Sequence, residues 1–594
     1  MDETTTLPAP CQVCGKPLKV PFCISTSKDL ICCSGCVAKP KAQGAAPFRK
    51  IDSLTPAYLL AALRDADGSD EASSCIGLLG LILKQMNPDD PRRAEPGAVH
   101  TVLAALNKYP SVSLFQDLGM LTLIELVGSA ERRDEAVAAG ALSTVVQALQ
   151  THAGDAEVVV SAIQAACVLA LAGTKETDEK ISSKMQDATA AAGLIDLMLD
   201  VLPRHVDSLA AQEYGLFFLA SMTSLNAGNA ATAFSKGLVA HLAAVIPSAL
   251  ASNDADAAKK VISTILQVMC STLQACESER SVVQKYASSC ALLWFQQILA
   301  KHHADANISY LAMNALVRMV IGADTELLAQ AAASNTFGLI RTTLREHAAC
   351  AEVVEEALGA VSMLTMDNAA NASLAATSGA KMWAVNALHS HATSASVVRV
   401  ACYCISNTCS YVRDDVTVYP IIVTAVKVHG GSPSHALASL VTMNSLLKNH
   451  DDVRHAEAAT AAGAVPLVIN LLRKHPANAD VQVGGALVLA LLAPSERAHA
   501  EARSLGALPL LAEAAQVHAR DTYAERVLEL AQDALKRKAG PVEAALRSLA
   551  SEAVQAAKES AMEQLKEYFI SEEIAASVVQ TVVEIAIGGC CTLM

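Results

Sequence analysis

The sequence is poor in aromatic residues and in basic charge. Only 4% of its 594 residues are aromatic, although 52% are hydrophobic. Most of the apolar content is therefore alanine and aliphatic residues, a composition that favours helices over sheets. The net charge is −14, from 45 basic and 59 acidic residues. Nucleic-acid binding needs a basic surface, so this charge argues against a nucleic-acid partner.

The sequence also lacks long hydrophobic runs. No stretch of about 18 residues is free of polar interruption, and the acidic N-terminus, MDETTTLPAP, has no apolar core. We therefore expect neither a transmembrane helix nor a secretory signal peptide. Without a secretory signal, the cysteines scattered between Cys75 and Cys409 are expected to be reduced and buried.

Common catalytic motifs are absent as well. The chain contains no GxxxxGK[ST], GxGxxG, HExxH or GxSxG sequence. Its 16 histidines are scattered, and no histidine lies near Cys402, Cys404 and Cys409 in the sequence. We therefore expect these three cysteines to be structural and the protein to be no enzyme, with no small-molecule substrate.

One phrase recurs along the chain: small residues, a glycine, then an aliphatic run. Aliphatic residues at three-and-four spacing on both sides indicate helices joined by a sharp turn. Several of these glycines are 43 or 44 residues apart. The clear copies surround Gly140, Gly193, Gly237, Gly379, Gly463 and Gly506, and a first copy begins near Gly97. A degenerate copy is expected near Gly338 and weak ones near Cys290 and Pro420. Single units cannot bury their apolar faces, so about ten units over residues 97–538 are predicted to stack as an all-α, right-handed solenoid.

The period and two phrases, AGAVPLV at 462–468 and LGALPLL at 505–511, resemble the armadillo-repeat family. HEAT repeats are the nearest alternative. The resemblance implies a groove that binds extended peptides or helices of partner proteins. Armadillo proteins that carry nuclear-import cargo have a Trp and Asn ladder on their third helices. Here only Tyr403 and Asn407 resemble that ladder, in a chain with two Trp. They are the candidate groove residues, and an import receptor is disfavoured.

Four N-terminal cysteines have the spacing of a metal site. Cys11 and Cys14, then Cys33 and Cys36, form two C-x2-C pairs separated by 18 residues. This arrangement is typical of a tetrathiolate zinc site. Four thiolates complete a tetrahedron, so the sequence predicts a structural Zn²⁺ without an open position for water.

Two further cysteines leave the ligand set open. Cys32 could replace Cys33, or Cys23 and Cys32 could join a second, incomplete site. A cross-braced RING with two zinc ions needs eight ligands, whereas residues 1–50 contain six cysteines and no histidine. The RING interpretation is therefore disfavoured.

The last four residues, Cys591-Thr592-Leu593-Met594, form a C-a-a-X motif whose final Met is typical of farnesylation. One lipid chain alone binds a membrane weakly, so a second signal is expected. Residues 541–589 hold three basic residues and eight Glu, which excludes a polybasic patch. The adjacent Cys590 is the candidate palmitoylation site.

The predicted organisation is a zinc-binding module (1–40), a linker with leading helices (41–96), the solenoid (97–538), C-terminal helices (539–589) and a lipidation tail (590–594). The predicted function is a non-enzymatic scaffold on the cytoplasmic face of a membrane, which binds partner proteins along its groove. One alternative is a soluble adaptor of a ubiquitin or trafficking complex that uses the zinc module. Another is a regulator of small GTPases.

Overall fold

The computed structural model describes the chain from residue 55 to 536, five short strands before it, and seven helical positions between 552 and 564. The gaps within the first range are 88–89, 171–182, 276–285, 287–290, 322, 334, 412–415 and 449–452. By internal contacts the chain divides into two units, Met1–Val245 and Ile246–Val578.

The five strands form two small antiparallel sheets. β1 (Thr6–Pro10) pairs with β2 (Pro17–Lys19). β3 (Phe22–Ser25) is the central strand of the other sheet and pairs with β4 (Ile31–Cys33) and β5 (Phe48–Lys50). These strands precede the helical part of the chain.

All remaining regular elements of the described chain are helices. Those of the first unit begin at Pro56, and the unit boundary falls within α12. They are α1 (Pro56–Asp65), α2 (Ser69–Gln85), α3 (Ala98–Lys108), α4 (Ser113–Leu126), α5 (Ala130–Ala138), α6 (Ala141–Thr151), α7 (Ala156–Ala170), α8 (Ser183–Ala191), α9 (Leu194–Val201), α10 (Leu209–Thr223), α11 (Ala227–Ser235) and α12 (Leu238–Ala251). Short 3₁₀ helices lie at Pro91–Ala94 and Leu202–His205.

The second unit continues the same succession of helices. They are α13 (Ala255–Ala275), α14 (Ala291–His302), α15 (Ala306–Val320), α16 (Thr325–Ala333), α17 (Thr336–Glu346), α18 (Ala351–Thr365), α19 (Ala369–Ser378), α20 (Ala380–Ser390), α21 (Ala395–Thr408), α22 (Val418–His429), α23 (Pro433–Lys448), α24 (Val453–Ala461), α25 (Ala464–Lys474), α26 (Ala479–Leu492), α27 (Glu496–Ser504), α28 (Ala507–Val517) and α29 (Thr522–Lys536). Another 3₁₀ helix lies at Cys409–Tyr411.

Each complete repeat has a short first helix, a second helix, and usually a longer third helix, as in α24, α25 and α26. Where the sequence has its recurring glycine, that glycine joins the first helix to the second with a positive φ, such as 89° at Gly463. L-residues with a side chain are disfavoured in this left-handed conformation. The weak repeat expected near Gly338 differs. Its turn residue is Asn335, with φ 58°, and Gly338 lies inside α17.

Glutamine side chains fix the third helix of three repeats against the end of the second. Nε2 of Gln482 in α26 donates to the carbonyls of Leu472 and His475, at 2.8 and 2.9 Å. Gln116 and Gln212 make the equivalent pairs of bonds. The last carbonyls of a helix have no partner within it, so these glutamines satisfy groups that burial would otherwise leave unpaired.

The third helices pack against one another in chain order. In the first unit the row is α2, α4, α7 and α10, and in the second it is α13, α15, α18, α21, α23, α26 and α29. Because α2 packs on α4, the stacked helices begin at Pro56, ahead of residue 97 where the sequence placed the start of the repeats. The recurring glycine is absent from these leading helices, because the residue before α1 is Thr55 in an extended conformation.

In the described part of the chain, no single helix is both long and apolar enough to cross a membrane. Two bent pairs meet such a test by length and composition alone, α11 with α12 and α24 with α25. In each pair the two helices are the first and second helices of one repeat.

Candidate binding face

The third-helix face of the second unit, formed by α13, α15, α18, α21, α23 and α26, is the candidate binding surface. Each of these helices contains an unbroken buried stretch that is longer than two turns. The stretches are 261–273, 311–320, 356–365, 397–408, 436–447 and 481–490. A helix at the surface of a protein keeps one exposed polar side, whereas the six helices have no exposed side over these stretches.

Buried polar groups cross this face between α15 and α18. Nδ2 of Asn314 donates to Oε1 of Glu356 at 2.9 Å, and Nε of Arg318 donates to Oδ1 of Asn314 at 2.8 Å. All three side chains are buried. Burial raises the pKa of Glu356 to about 8 and Glu355 adds to the rise, against the opposing effects of Asn314 and Arg318. The three groups therefore pair with one another inside the protein.

The two predicted groove residues lie on α21, within the same face. Tyr403 is 2% exposed, and its hydroxyl has no hydrogen-bond partner among the described residues. Burial raises the pKa of Tyr403 well above its ordinary value. Asn407 is 8% exposed and donates to the carbonyl of Ser362 at 3.1 Å and to Oγ1 of Thr365 at 3.2 Å. Its amide is therefore committed to the neighbouring α18.

Similar bonds join the next third helices. The hydroxyls of Ser406 and Ser445 lie 2.7 Å apart across α21 and α23. Asn444 donates from α23 to the carbonyl of Gly484 in α26 at 3.0 Å. Cys402, Cys404 and Cys409 are buried in the same region, as the sequence predicts, and burial raises the pKa of Cys402 and Cys404 to about 12. The polar groups of this face thus hold the repeats together.

A second periodic feature is a row of histidines at the ends of second helices. In each, Nε2 donates to a backbone carbonyl of the preceding repeat, at 2.7 to 3.0 Å. The donors are His152, His205, His347, His391, His429, His475 and His518. Sequence reasoning treated the histidines as scattered. The signal that could reveal them is a histidine beside the loop that follows each second helix.

We expect His475→Ala to lower the free energy of unfolding by about 1–3 kcal/mol, because it leaves the carbonyl of Gly430 without its partner. His475 is buried, so water cannot easily replace the ring. The measurement is urea unfolding followed by circular dichroism. His389→Ala, at an exposed position in α20, is the matched control. Equal effects of the two substitutions would contradict the role assigned to the histidine row.

The predicted zinc ligands are only partly covered by the structure. Cys11, Cys14 and Cys36 lie outside the described residues. Cys33 is the last residue of β4, and the backbone of Cys23 pairs with that of Cys32 in the sheet of β3 and β4. Among described residues no group of three or more His, Cys, Asp or Glu could hold a metal ion. Zn²⁺ binding by the N-terminal cysteines stays a prediction.

The predicted lipidation sites, Cys590 and Cys591, also lie outside the described residues. Of the predicted C-terminal helices, the described positions are Glu552, Gln555, Ala556, Glu559, Ser560, Glu563 and Gln564, all of them helical.

The arrangement of these repeats can be compared with a solved structure. A chain from work on a conserved phosphorylation switch that controls the interaction between cadherin and beta-catenin superposes on this one with a TM-score of 0.63. The match covers 81% of this chain and 91% of that chain, at 14% sequence identity. The fold is an armadillo-like solenoid. The armadillo resemblance expected from the sequence is thereby confirmed for the fold alone. No protein-family model and no curated protein matches the sequence.

Proposed function

We propose that this armadillo-like protein is an adaptor without enzymatic activity. It binds partner proteins on the third-helix face of its second unit and is held on the cytoplasmic face of a membrane by a farnesyl group on Cys591. The observation that carries the proposal is the row of third helices, from α13 to α26, which pack on one another in chain order. Solenoids of this type offer long surfaces to their partners.

The polar groups on this face favour a helical partner over an extended peptide. An extended peptide leaves its backbone groups to be paired by the receptor, whereas a helix pairs its own. The side-chain amides that could serve a peptide backbone, those of Asn314, Asn407 and Asn444, already donate to neighbouring repeats. The third-helix face therefore suits the apolar side of a helix.

The membrane anchor in this proposal is supported by the C-terminal motif. Farnesylation of Cys591 would need a second signal, for which the neighbouring Cys590 is available as a palmitoylation site. A structural Zn²⁺ that stabilises the N-terminal module would be held by Cys11, Cys14, Cys36 and either Cys33 or Cys32, and a second, incomplete site would use Cys23 and Cys32. Neither group takes part in a reaction.

Expression of the wild type and of Cys591→Ser in a eukaryotic cell tests the anchor. The wild type is expected to gain the mass of a farnesyl group and to be recovered with membranes, and the variant is expected to lose both. Cys590→Ser, which keeps the farnesyl site, should reduce membrane recovery without removing the farnesyl mass. An unmodified wild-type tail with equal cytosolic recovery of all three proteins would refute the anchor.

A further inference from the structure

We propose that the junction between the end of α12 and the end of α14 is an opening point built into the second unit. At this junction the chain opens locally, while the repeats from α17 onward stay folded. The proposal goes beyond the function proposed above and does not depend on it. It rests on an interruption of the histidine row, on the length of α12 and on a buried histidine whose Nε2 is unpaired among the described residues.

Most histidines of the row stand at a fixed distance from the turn of their repeat. They follow the turn residue by twelve positions, whether it is a glycine or, before His347, Asn335. The same count from Gly237 reaches Ala249, whose side chain has no donor. The repeat of α12 therefore adds no histidine to the row. The pairs that follow the count are 140 and 152, 193 and 205, 335 and 347, 379 and 391, 463 and 475, and 506 and 518.

The second helix of this repeat is also longer than its equivalents. The helices α6, α20 and α25 have 11 residues each, whereas α12 has 14. Three additional residues extend a helix by about 4.5 Å. After α6, α20 and α25, the carbonyl that accepts from the next repeat belongs to a loop, as at Ala153, Ala392 and Pro476. The residue at the same place after Gly237 is Leu250, which is still inside α12.

His302, the last residue of α14, has the place of the row histidine in the next repeat. The carbonyl of His303 accepts from His347, just as the residue after each row histidine accepts farther along the chain. His302 is 6% exposed, and its Nε2 has no hydrogen-bond partner among the described residues. The carbonyl of Leu250 accepts instead from Nζ of the exposed Lys301. The junction thus has an exposed bond in place of a buried one.

The groups around His302 keep its ring neutral. Burial lowers the pKa of His302 below its ordinary value of 6.5, and the ammonium groups of Lys301 and Lys259 lower it further, against the effect of Asp305. At pH 7 the imidazole is therefore uncharged, whichever ring nitrogen carries the proton. A buried polar atom that loses water and gains no partner destabilises the folded state.

The stability of a repeat array is approximately a sum over repeats and over the junctions between neighbours. Every junction from α17 to α28 contains a histidine ring bonded to the preceding repeat. The junction of α12 and α14 lacks that bond and contains an unpaired ring nitrogen. Local opening in a folded protein occurs where the contacts contribute least. We therefore place the opening point at this junction.

Hydrogen exchange of the full-length wild type at pH 7, followed by mass spectrometry of its peptides, locates the opening. After correction for intrinsic rates, amides of α12 and α14 should exchange at least about tenfold faster than those of α22 and α25. Equal protection of the two pairs of helices would overturn the proposal.

Leucine at two histidines distinguishes an unpaired ring from a bonded one. His302→Leu removes a nitrogen that has no partner among the described residues, so exchange in α12 and α14 should slow by about fivefold or more. His475→Leu, the matched control, leaves the carbonyl of Gly430 unpaired and should speed exchange in α22 and α25 by a similar factor. His302→Met repeats the test with a side chain of different shape. Slower exchange in either variant at position 302 supports the proposal, and slowing in neither would overturn it.

The bond made by Lys301 has a test of its own. Lys301→Met keeps the aliphatic part of the side chain but removes the donor to the carbonyl of Leu250. Exchange in α12 should become about two- to fivefold faster. Lys474→Met changes an exposed lysine at the same place, directly before His475, and should leave exchange in α25 unchanged. Equal effects of the two substitutions would overturn the proposal.

Discussion

Replacing Glu356 by Gln is expected to leave the stability of the protein almost unchanged at pH 4.5 and to raise it at pH 8 and above. The free energy of unfolding should increase there by about 3–5 kcal/mol relative to the wild type. Glu356 is 2% exposed, and burial raises its pKa from 4.5 to about 8. Glutamine has the same shape and keeps the acceptor for Asn314, whose Nδ2 lies 2.9 Å from Oε1.

The sign follows from the protons bound in each state. Between pH 4.5 and 8 the folded protein holds the proton of Glu356, whereas the unfolded chain has released it. Raising the pH through this window therefore favours the unfolded wild type, and the penalty is complete above pH 8. Two neighbouring charges also act on the pKa of Glu356. Glu355, in α18 like Glu356, raises it, and Arg318 from α15 lowers it.

Urea unfolding of both proteins at pH 5 and pH 8.5 measures this difference. Glu457→Gln makes the same chemical change at an exposed position of α24 and serves as the control. An advantage of Glu356→Gln that is the same size at both pH values would show that proton binding at Glu356 is not its cause.

Tyr419→Ala is expected to lower the free energy of unfolding by about 3–5 kcal/mol. Tyr419 in α22 is fully buried. Its hydroxyl lies 3.0 Å from Nδ1 of His455 in α24, and the two rings meet edge to face with centroids 5.7 Å apart. Truncation to alanine removes the ring from the core and the hydrogen bond between the two helices.

Tyr419→Phe separates these two contributions. It keeps the ring and should lower the free energy of unfolding by only about 1–2 kcal/mol, through loss of the hydrogen bond. Tyr411→Ala, at a tyrosine that is 43% exposed, is the control and should have little effect. The measurement is again denaturant unfolding. If Phe and Ala at position 419 were equally destabilising, packing of the ring would not be the main contribution.

The repeats could be predicted from the sequence because their turns need glycine. At Gly463 and its equivalents the backbone adopts a conformation that other L-residues disfavour, so the residue type reports the geometry. The turn at Asn335 could not be predicted from a glycine, because asparagine also tolerates this conformation. The sequence pattern indicated the nearby Gly338, which lies inside α17. Helices were expected within 41–96, but the place of α1 and α2 in the stack escaped prediction because no such glycine precedes α1.

The contacts of the candidate face could not be predicted in the same way. The histidine row depends on backbone carbonyls, which every residue has, so its acceptors leave no pattern in the sequence. Hydrogen bonds from the predicted C-terminal helices join Gln555 to Asp367 and Ser560 to Asp480, pairs that are 188 and 80 residues apart. Periodicity describes neighbours within a repeat or in adjacent repeats, and pairs this distant follow only from the folded chain.

The histidine row has a consequence for how the second unit unfolds. The residue after His391 accepts from His429, the residue after His429 accepts from His475, and the residue after His475 accepts from His518. In each of these loops the histidine therefore donates to the preceding repeat, and the carbonyl of the residue after it accepts from the histidine of the next repeat. When one repeat frays, the next loses a bond that it cannot replace internally. Strong coupling between nearest neighbours raises the cooperativity of a repeat array. We therefore expect this part of the protein to melt as one block, with no stable partly unfolded forms in which single repeats have opened.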